Sequence, residues 1–299
     1  MNRYTRLMNR IAARERILID GATGTEIERL GVPQLNDAWN GGGALSHPDV
    51  LRKVHQDYIS AGAEIVIANT FATHLHALED AGVADQFDAL NRRGVELAVE
   101  ARQRAGKPAV LVAGGLSYWA WSGNWRSPEE LGPPARQQAA IMAEAGADVL
   151  MLEMMVDIPR MLAVLDAALA CGLPVWVGLS CKRGDKPGDN GDMVLLRGGS
   201  LAAALEALRD YDIPVLSIMH TEVEDIDACL DVVEAGWQGP VGVYAHSARW
   251  QGQVGIFDET IPPETYAACA KRWMDRDVQV IGGCCGLGVD HIERLSEIV

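Results

Sequence analysis

The 299-residue sequence lacks three features that would each define a class of protein. It has no apolar run long enough for a signal peptide or a membrane span, and residues 1–16 carry five arginines, so we expect a helix there. Basic residues are in deficit, 26 Lys and Arg against 41 Asp and Glu, a net charge of −15. Six scattered cysteines lack the spacing of a disulfide-stapled secreted domain. We therefore expect a cytoplasmic protein without a nucleic-acid or membrane partner, and a homo-oligomer remains open.

Eight short apolar or β-branched runs alternate with helical stretches along the chain. The runs are Ile17–Asp20, Glu64–Asn69, Ala109–Gly114, Asp148–Glu153, Pro174–Ser180, Ile213–Met219, Pro240–Ala245 and Val278–Gly283. Helical patterns mark Pro48–Gly62, Leu90–Gly106, Ala135–Gly146 and Leu201–Tyr211. Two of these helices end in Ala-Gly-Ala followed by an acidic residue, which is typical of a helix-to-strand loop.

The number of units predicts the architecture. No linker rich in Pro, Ser or Gly divides the sequence, and 48% of the residues are hydrophobic, enough for a large core. We predict one α/β domain over residues 1–299, a (β/α)8 TIM barrel. A doubly wound open sheet is the alternative, but eight strands fit the closed barrel better.

Polar side chains stand where the predicted strands end, and chemistry in such barrels belongs to that face. These side chains are Asp20, Asn69, Glu153, His220, His246 and the pair Cys284-Cys285. Each alone has a common structural explanation, such as a helix cap or a buried histidine. Their joint placement at one mouth favours a functional site.

The Gly282-Gly283-Cys284-Cys285-Gly286 segment is the most informative of these ends. Adjacent cysteines rarely form a disulfide with each other, because the bond geometry would be strained. Two thiolates from one tight turn instead supply half of a tetrahedral zinc shell. The alternative is an inert buried pair.

Five segments carry recognisable motifs: Asp20-Gly21-Ala22-Thr23-Gly24-Thr25, the His55–Glu64 segment, Asn69-Thr70-Phe71, the Gly146–Glu153 segment and Gly282–Gly286 followed by Asp290-His291-Ile292. Together these segments resemble the zinc-dependent homocysteine S-methyltransferase family. The resemblance covers nearly the whole chain. It implies a TIM-barrel enzyme (EC 2.1.1.-) of methionine biosynthesis that transfers a methyl group to homocysteine.

The resemblance also assigns roles to residues. It implies that Zn²⁺ binds Cys284 and Cys285 and ionises the homocysteine thiol, whose ordinary pKa is about 8.5. Asp20 and Glu153 would bind the ammonium group of the acceptor. The remaining substrate-binding residues would be Gly21, Thr23, Gly24 and Thr25, which offer backbone donors to the carboxylate, and Asn69.

The sequence departs from the family pattern at three turns. His220 occupies the place of the usual third cysteine ligand, so we expect a Cys2His zinc site; the alternative is that His220 fills space and the metal is lost. Ala245-His246-Ser247-Ala248 replaces a PNxG turn, and Gly114–Tyr118 replaces a GSxGP turn. His246 is predicted to contact the methyl donor. The alternatives are that it supports a metal ligand from behind or is itself a metal ligand.

Aromatic residues are concentrated in the loop after the third strand. Tyr118, Trp119, Trp121 and Trp125 lie within eight positions, and Trp39 lies in a turn that resembles the family's LWS segment. Aromatic faces attract onium cations, so Trp39, Tyr118, Trp119 and Trp121 are predicted to bind an onium methyl donor. Packing of the loop on the barrel rim is the alternative.

Two other functions remain open. One is a zinc-free barrel enzyme that binds a phosphorylated small molecule at the Gly-rich eighth turn. The other is a non-catalytic, ligand-binding relative of the methyltransferases. The leading hypothesis is methyl transfer from a small onium donor to homocysteine or a similar thiol.

Overall fold

A computed structural model describes residues 1–185, 189, 191–247, 249–251, 254–256 and 260–299. Ala248 of the predicted Ala245-His246-Ser247-Ala248 segment lies outside the described residues. Eight parallel strands form one sheet: β1 (Ile17–Leu18), β2 (Ile65–Ile67), β3 (Leu111–Leu116), β4 (Val149–Met155), β5 (Val175–Leu179), β6 (Leu216–Glu222), β7 (Val241–His246) and β8 (Val278–Ile281). All eight predicted strands are therefore confirmed.

The sheet closes into a barrel. Each strand pairs in parallel with the next in sequence from β2 to β8, and β8 pairs with β1. A bridge between Ile19 and Ile65 and a hydrogen bond from the Asp20 backbone N–H to the Ile65 carbonyl (3.0 Å) join β1 to β2. The (β/α)8 prediction is confirmed, and the open-sheet alternative is wrong.

Helices cover the outside of the barrel. They are α1 (Arg3–Ala12), α2 (Thr23–Arg29), α3 (Gly43–Ser46), α4 (Pro48–Ser60), α5 (Leu75–Asp80), α6 (Phe87–Arg104), α7 (Pro128–Ala145), α8 (Ile158–Leu169), α9 (Leu201–Leu208), α10 (Ile226–Gly236), α11 (Pro263–Asp275) and α12 (Val289–Ser296). Short 3-10 helices span Asn36–Ala38, Ala84–Gln86 and Val223–Asp225. None of the helices in the described ranges is long and apolar enough to cross a membrane.

Two antiparallel hairpins were not predicted. Cys181–Arg183 pairs with Met193–Leu195 after β5, and Arg249–Gln251 pairs with Val254–Ile256 after β7. Both follow the carboxyl ends of barrel strands, where long loops of TIM barrels carry function.

The N-terminal helix α1 closes the other end of the barrel. Arg3 pairs with Asp148 (2.8 Å), the residue before β4, and Arg10 pairs with Glu64, the residue before β2. These two acids are the ones that follow the Ala-Gly-Ala turns. The expected helix in residues 1–16 is confirmed, and it seals the face opposite to the mouth.

Candidate active site and metal centre

A pocket with about 620 Å³ of empty space occupies the mouth of the barrel. It is lined by the turns after several strands, and its wall consists of Gly21–Thr25, Trp39, Asn40, Ile67–Asn69, Phe71, Glu153, Met154, Met219, His220, Tyr244 and Gly283–Cys285. Most of the predicted substrate and metal residues therefore meet in one cavity. No lysine or arginine of the described residues lines it.

Three metal-competent side chains converge on one side of this pocket. One ligand atom each from His220, Cys284 and Cys285 lies within 4.8 Å of the others. The Cys284 Sγ is 3.5 Å from His220 Nδ1 and 3.9 Å from Cys285 Sγ. Two thiols and an imidazole are a donor set that suits Zn²⁺, and all three residues face the pocket, which leaves room for a fourth ligand. The predicted metal residues are thus brought together.

A β-bulge places His220 in this group. Strands β6 and β7 pair regularly up to Met219 and Tyr244, but the next pair is Glu222 with His246, so β6 holds one extra residue. His220 adopts a positive φ of 42° within this bulge. A positive φ is strained for residues other than glycine, and a bulge turns the side chain away from the direction it would have in a regular strand. The strain therefore falls on the residue that faces the cysteines.

Strand β4 carries a second bulge at the same level. Its pairing with β5 passes from Leu152–Val177 to Met155–Leu179, which again leaves one extra residue. Met154, next to Glu153, has a φ of 53°, and its N–H donates to the Met219 sulfur (3.1 Å). Glu153 and Met154 thus both reach the pocket wall, and the hydrogen bond from Met154 to Met219 joins the two bulged strands.

Burial makes Glu153 an unusual carboxyl group. It is 8% exposed, and burial, with a smaller contribution from Cys285, raises its pKa to about 8. Gly115 on β3 makes space for it, because a Cβ there would lie 2.5 Å from Glu153 Oε2. A buried carboxyl group in a pocket whose described lining has no lysine or arginine is suited to receive a cation.

Asp20 lies beneath the pocket wall. It is 1% exposed, its Oδ2 accepts a hydrogen bond from the Ile67 N–H (2.7 Å), and its Oδ1 has no hydrogen-bond partner. Burial raises its pKa, and nearby Glu153 adds to the effect. The Asp20 side chain thus links β1 to β2 and also lies close to Glu153. Its predicted contact with substrate stays a prediction.

The pKa values of the two cysteines depend on the hydrogen bond between their thiols. The Cys284 thiol donates to Cys285, which lowers the pKa of Cys285 and raises that of Cys284. Burial lowers the pKa of His220, and the neighbouring His246 lowers it further. A neutral imidazole and a readily formed thiolate are the protonation states that metal binding requires.

The turn after β1 forms another part of the wall. Gly21, Thr23, Gly24 and Thr25 all line the pocket, and α2 begins at Thr23. Gly24 packs under an aromatic ring, because a Cβ there would lie 2.6 Å from Trp39. Asn69 also lines the pocket and donates to the Asn40 carbonyl (3.0 Å). The predicted substrate residues other than Asp20 therefore reach the cavity.

The predicted donor residues divide into two groups. Trp39 lines the pocket together with Phe71, and Trp121 packs against both rings, at centroid distances of 6.0 and 5.7 Å. Trp119 instead contacts Trp125 (5.2 Å). Trp39 is the ring among them that the structure places on the wall.

Tyr118 and His246 also lie off the wall. Tyr118 is buried, and its hydroxyl accepts from the N–H groups of Val156 and Asp157 (2.9 and 3.1 Å), which anchors the end of β4. His246 packs against His220, with ring centroids 4.2 Å apart. Donor binding by Tyr118, Trp119 and His246 stays a prediction.

The sequence reading missed several wall residues. Phe71 belongs to the Asn69-Thr70-Phe71 motif and Asn40 follows Trp39. The motif and the neighbouring tryptophan are therefore the sequence signals that could have identified these two residues. Met219 and Tyr244 are ordinary core residues by pattern, and nothing in the sequence marks them as residues of the cavity wall.

A (β/α)8 barrel with thiol and imidazole groups gathered in its mouth defines an enzyme with a candidate soft-metal centre. Comparison with known proteins gives the family: residues 17–299 match the family model described as homocysteine S-methyltransferase, and the chain belongs to this family. It is a methyltransferase of the type that acts on thiols.

Individual relatives are distant but cover nearly the whole chain. Homocysteine S-methyltransferase YbgG of Bacillus subtilis is 26% identical over 94% of this chain and 93% of its own length. Selenocysteine Se-methyltransferase of Brassica oleracea is 24% identical over 90% and 84%. The metallated form of the homocysteine methyltransferase MmuM from Escherichia coli shares the fold, with a TM-score of 0.77 at 24% identity over 95% of this chain and 96% of that chain.

Proposed function

We propose that the mouth of the barrel binds Zn²⁺ through His220, Cys284 and Cys285 and transfers a methyl group from a small onium donor to the thiol of homocysteine or a close analogue. The observation that carries the proposal is the convergence of the three ligand atoms, within 4.8 Å of one another, on the wall of a pocket that also holds Glu153. Formation of methionine in the cytoplasm is the physiological role that fits this chemistry.

The donor set fits zinc on chemical grounds. Catalytic zinc sites use three protein ligands and leave one position for substrate, and Cys2His is among the known sets. When bound, zinc lowers the pKa of a thiol ligand and so supplies a thiolate at neutral pH. The protein's part is to present deprotonated ligands, so both Cys284 and Cys285 must have lost their protons when the metal binds.

Glu153 and the turn after β1 hold the amino-acid end of the acceptor. The carboxylate of Glu153 pairs with the ammonium group, whose arrival offsets the cost of ionising a buried acid. Asp20, buried beneath the wall and close to Glu153, is the second carboxyl group near this ammonium site. Backbone N–H groups between Gly21 and Thr25 are the donors for the carboxylate.

The aromatic side of the pocket receives the methyl donor. Trp39 and Phe71 offer ring faces, and Trp121 supports both from behind. A sulfonium or quaternary ammonium group gains about 0.5–2 kcal/mol from each favourable ring contact. The rings also keep water away from the reacting atoms.

The alternatives fit less well. A phosphorylated substrate is favoured by cationic side chains, whereas the described pocket wall carries a buried acid and no Lys or Arg. Relatives named as homocysteine S- and selenocysteine Se-methyltransferases support a soft, nucleophilic acceptor. They also argue against a purely ligand-binding role.

Metal analysis and a direct assay test the proposal. Purified protein should contain one zinc per chain and convert homocysteine to methionine with S-methylmethionine or another sulfonium donor. Zinc-free protein, or zinc-loaded protein inactive with every sulfonium and betaine-type donor, would reject the proposed chemistry.

A further inference from the structure

The two histidines that replace family residues contact each other. The rings of His220 and His246 have centroids 4.2 Å apart with an interplanar angle of 57°, and both residues are at most 6% exposed. They lie on the neighbouring strands β6 and β7. In the sequence they are two separate departures from the family pattern. Their contact suggests that one substitution supports the other.

The metal-binding turn itself fixes the backbone around His246. The Cys284 N–H donates to the Ala245 carbonyl (2.8 Å), and the Ser247 N–H donates to the Cys285 carbonyl (3.0 Å). His246 lies between these two anchors. The position of its ring is therefore tied to the position of the cysteine sulfurs.

Glu222 fixes the other side of the ring. The β6 bulge resumes its pairing at Glu222 and His246, so these residues are direct cross-strand neighbours. His246 Nε2 lies 2.9 Å from Glu222 Oε1. The three side chains form a series in which the carboxylate of Glu222 contacts His246 and the ring of His246 packs on His220.

An imidazole ligand needs such support more than a thiolate does. A histidine binds a metal through a lone pair in the plane of its ring, so ring rotation changes the bond, whereas sulfur lone pairs are less directional. Residues behind metal-binding histidines therefore orient the ring, and their loss typically costs about 10- to 100-fold in metal affinity. His220 has the added strain of its positive φ.

We infer that His246, held by Glu222, is a positioning residue that orients the ring of His220 for metal binding. The inference rests on the proposed metal centre, and it concerns a role that a cysteine at position 220 would not need. In the structure His246 contacts His220, the proposed metal ligand, and lies off the pocket wall.

A double-mutant cycle on zinc affinity tests this role without any activity measurement. Zinc dissociation constants are measured by competition with a chromophoric chelator for wild type, His246→Ala, His220→Cys and the double variant. His246→Ala should weaken zinc binding about 10- to 100-fold in the wild-type background. In the His220→Cys background the same change should have less than a threefold effect. Glu222→Gln should weaken binding in the wild-type background in the same direction.

Cobalt spectra give a second readout. In Co²⁺-loaded protein, His246→Ala should shift the d–d absorption bands, and in the His220→Cys background it should leave them unchanged. Circular dichroism checks that each variant is folded, and His246→Asn replaces the alanine variant if that one does not fold.

Two results would overturn the inference while leaving the metal centre intact. Equal losses of zinc affinity in both backgrounds would mean that His246 acts independently of His220. No loss in either background would mean that the ring contact is mere packing. Absence of zinc from the wild type would instead reject the metal centre itself, and the inference with it.

Discussion

Substitution of Gly115 by alanine should remove the acceptor's ammonium site without unfolding the barrel. A Cβ at this position would lie 2.5 Å from Glu153 Oε2 and 3.3 Å from a methyl group of Ile67. The Gly115 backbone cannot retreat easily, because its N–H and carbonyl both bond to the Thr70 hydroxyl (3.0 and 2.9 Å). The Glu153 carboxylate can move more easily than the Gly115 backbone, so it must shift away from the position it holds in the structure.

The size of the effect follows from the lost interaction. A hydrogen bond to a charged group contributes about 1.5–3 kcal/mol, and about 1.4 kcal/mol changes an affinity tenfold. Gly115→Ala should therefore weaken homocysteine binding by about 10- to 150-fold in calorimetry with zinc-loaded protein. Zinc content and the melting temperature should change little.

The neighbouring glycine provides a matched control. A Cβ at Gly114 points to the other side of β3, where it would meet Met142 of α7 at 2.8 Å and Leu150 at 3.0 Å. Gly114→Ala should cost about 1–3 kcal/mol of folding stability through overpacking and leave acceptor affinity unchanged. Wild-type affinity in Gly115→Ala, or equal losses in both variants, would refute the role given to Glu153.

Four further predictions concern the metal, the donor and pH. Cys284→Ser should abolish zinc binding and methyl transfer while circular dichroism stays that of a folded barrel; full activity would exclude a thiolate ligand. Trp39→Ala should raise the KM of the onium donor about 2- to 30-fold, more than that of the acceptor; equal effects on both substrates would contradict a donor-binding role. His220→Cys should keep zinc and move the pH–rate profile to higher pH, because a thiolate gives the metal more charge than imidazole does; an unchanged profile would contradict a ligand at this position. In metal-free protein, burial raises the pKa of Glu153 from 4.5 to about 8. The unfolded chain therefore loses this proton at lower pH than the folded protein does, and folding stability should fall as pH rises from 4.5 to about 8. Glu153→Gln should remove this pH dependence of the melting temperature, and an equal pH dependence in both proteins would contradict the raised pKa.

The barrel was predictable because its signals are local. Short apolar runs set the eight strands, and the Ala-Gly-Ala turns mark where helices end: Gly62 and Gly146 adopt φ values of 112° and 107°, as a helix-ending glycine does. Strand-end positions then placed Glu153, His220 and the cysteine pair at one face. These inferences need only the repeat of the fold and the direction of its strands.

The details of the site were not predictable from such signals. The bulges at Met154 and His220 depend on how two strands shift against each other, and no residue pattern records that shift. Asp20 follows the same strand-end rule as Glu153, yet its hydrogen bond to the Ile67 N–H keeps it beneath the wall. The order of side chains within the aromatic loop depends likewise on packing between distant segments.

The sealing helix α1 has a practical consequence for handling the protein. Its ion pairs lie at the amino ends of β2 and β4, the end of the barrel opposite to the pocket. Attachment of the protein to a sensor chip or resin through the exposed face of α1 should therefore leave the mouth directed at the solution. Ligand titrations on such a surface should give the same affinities as titrations of the free protein.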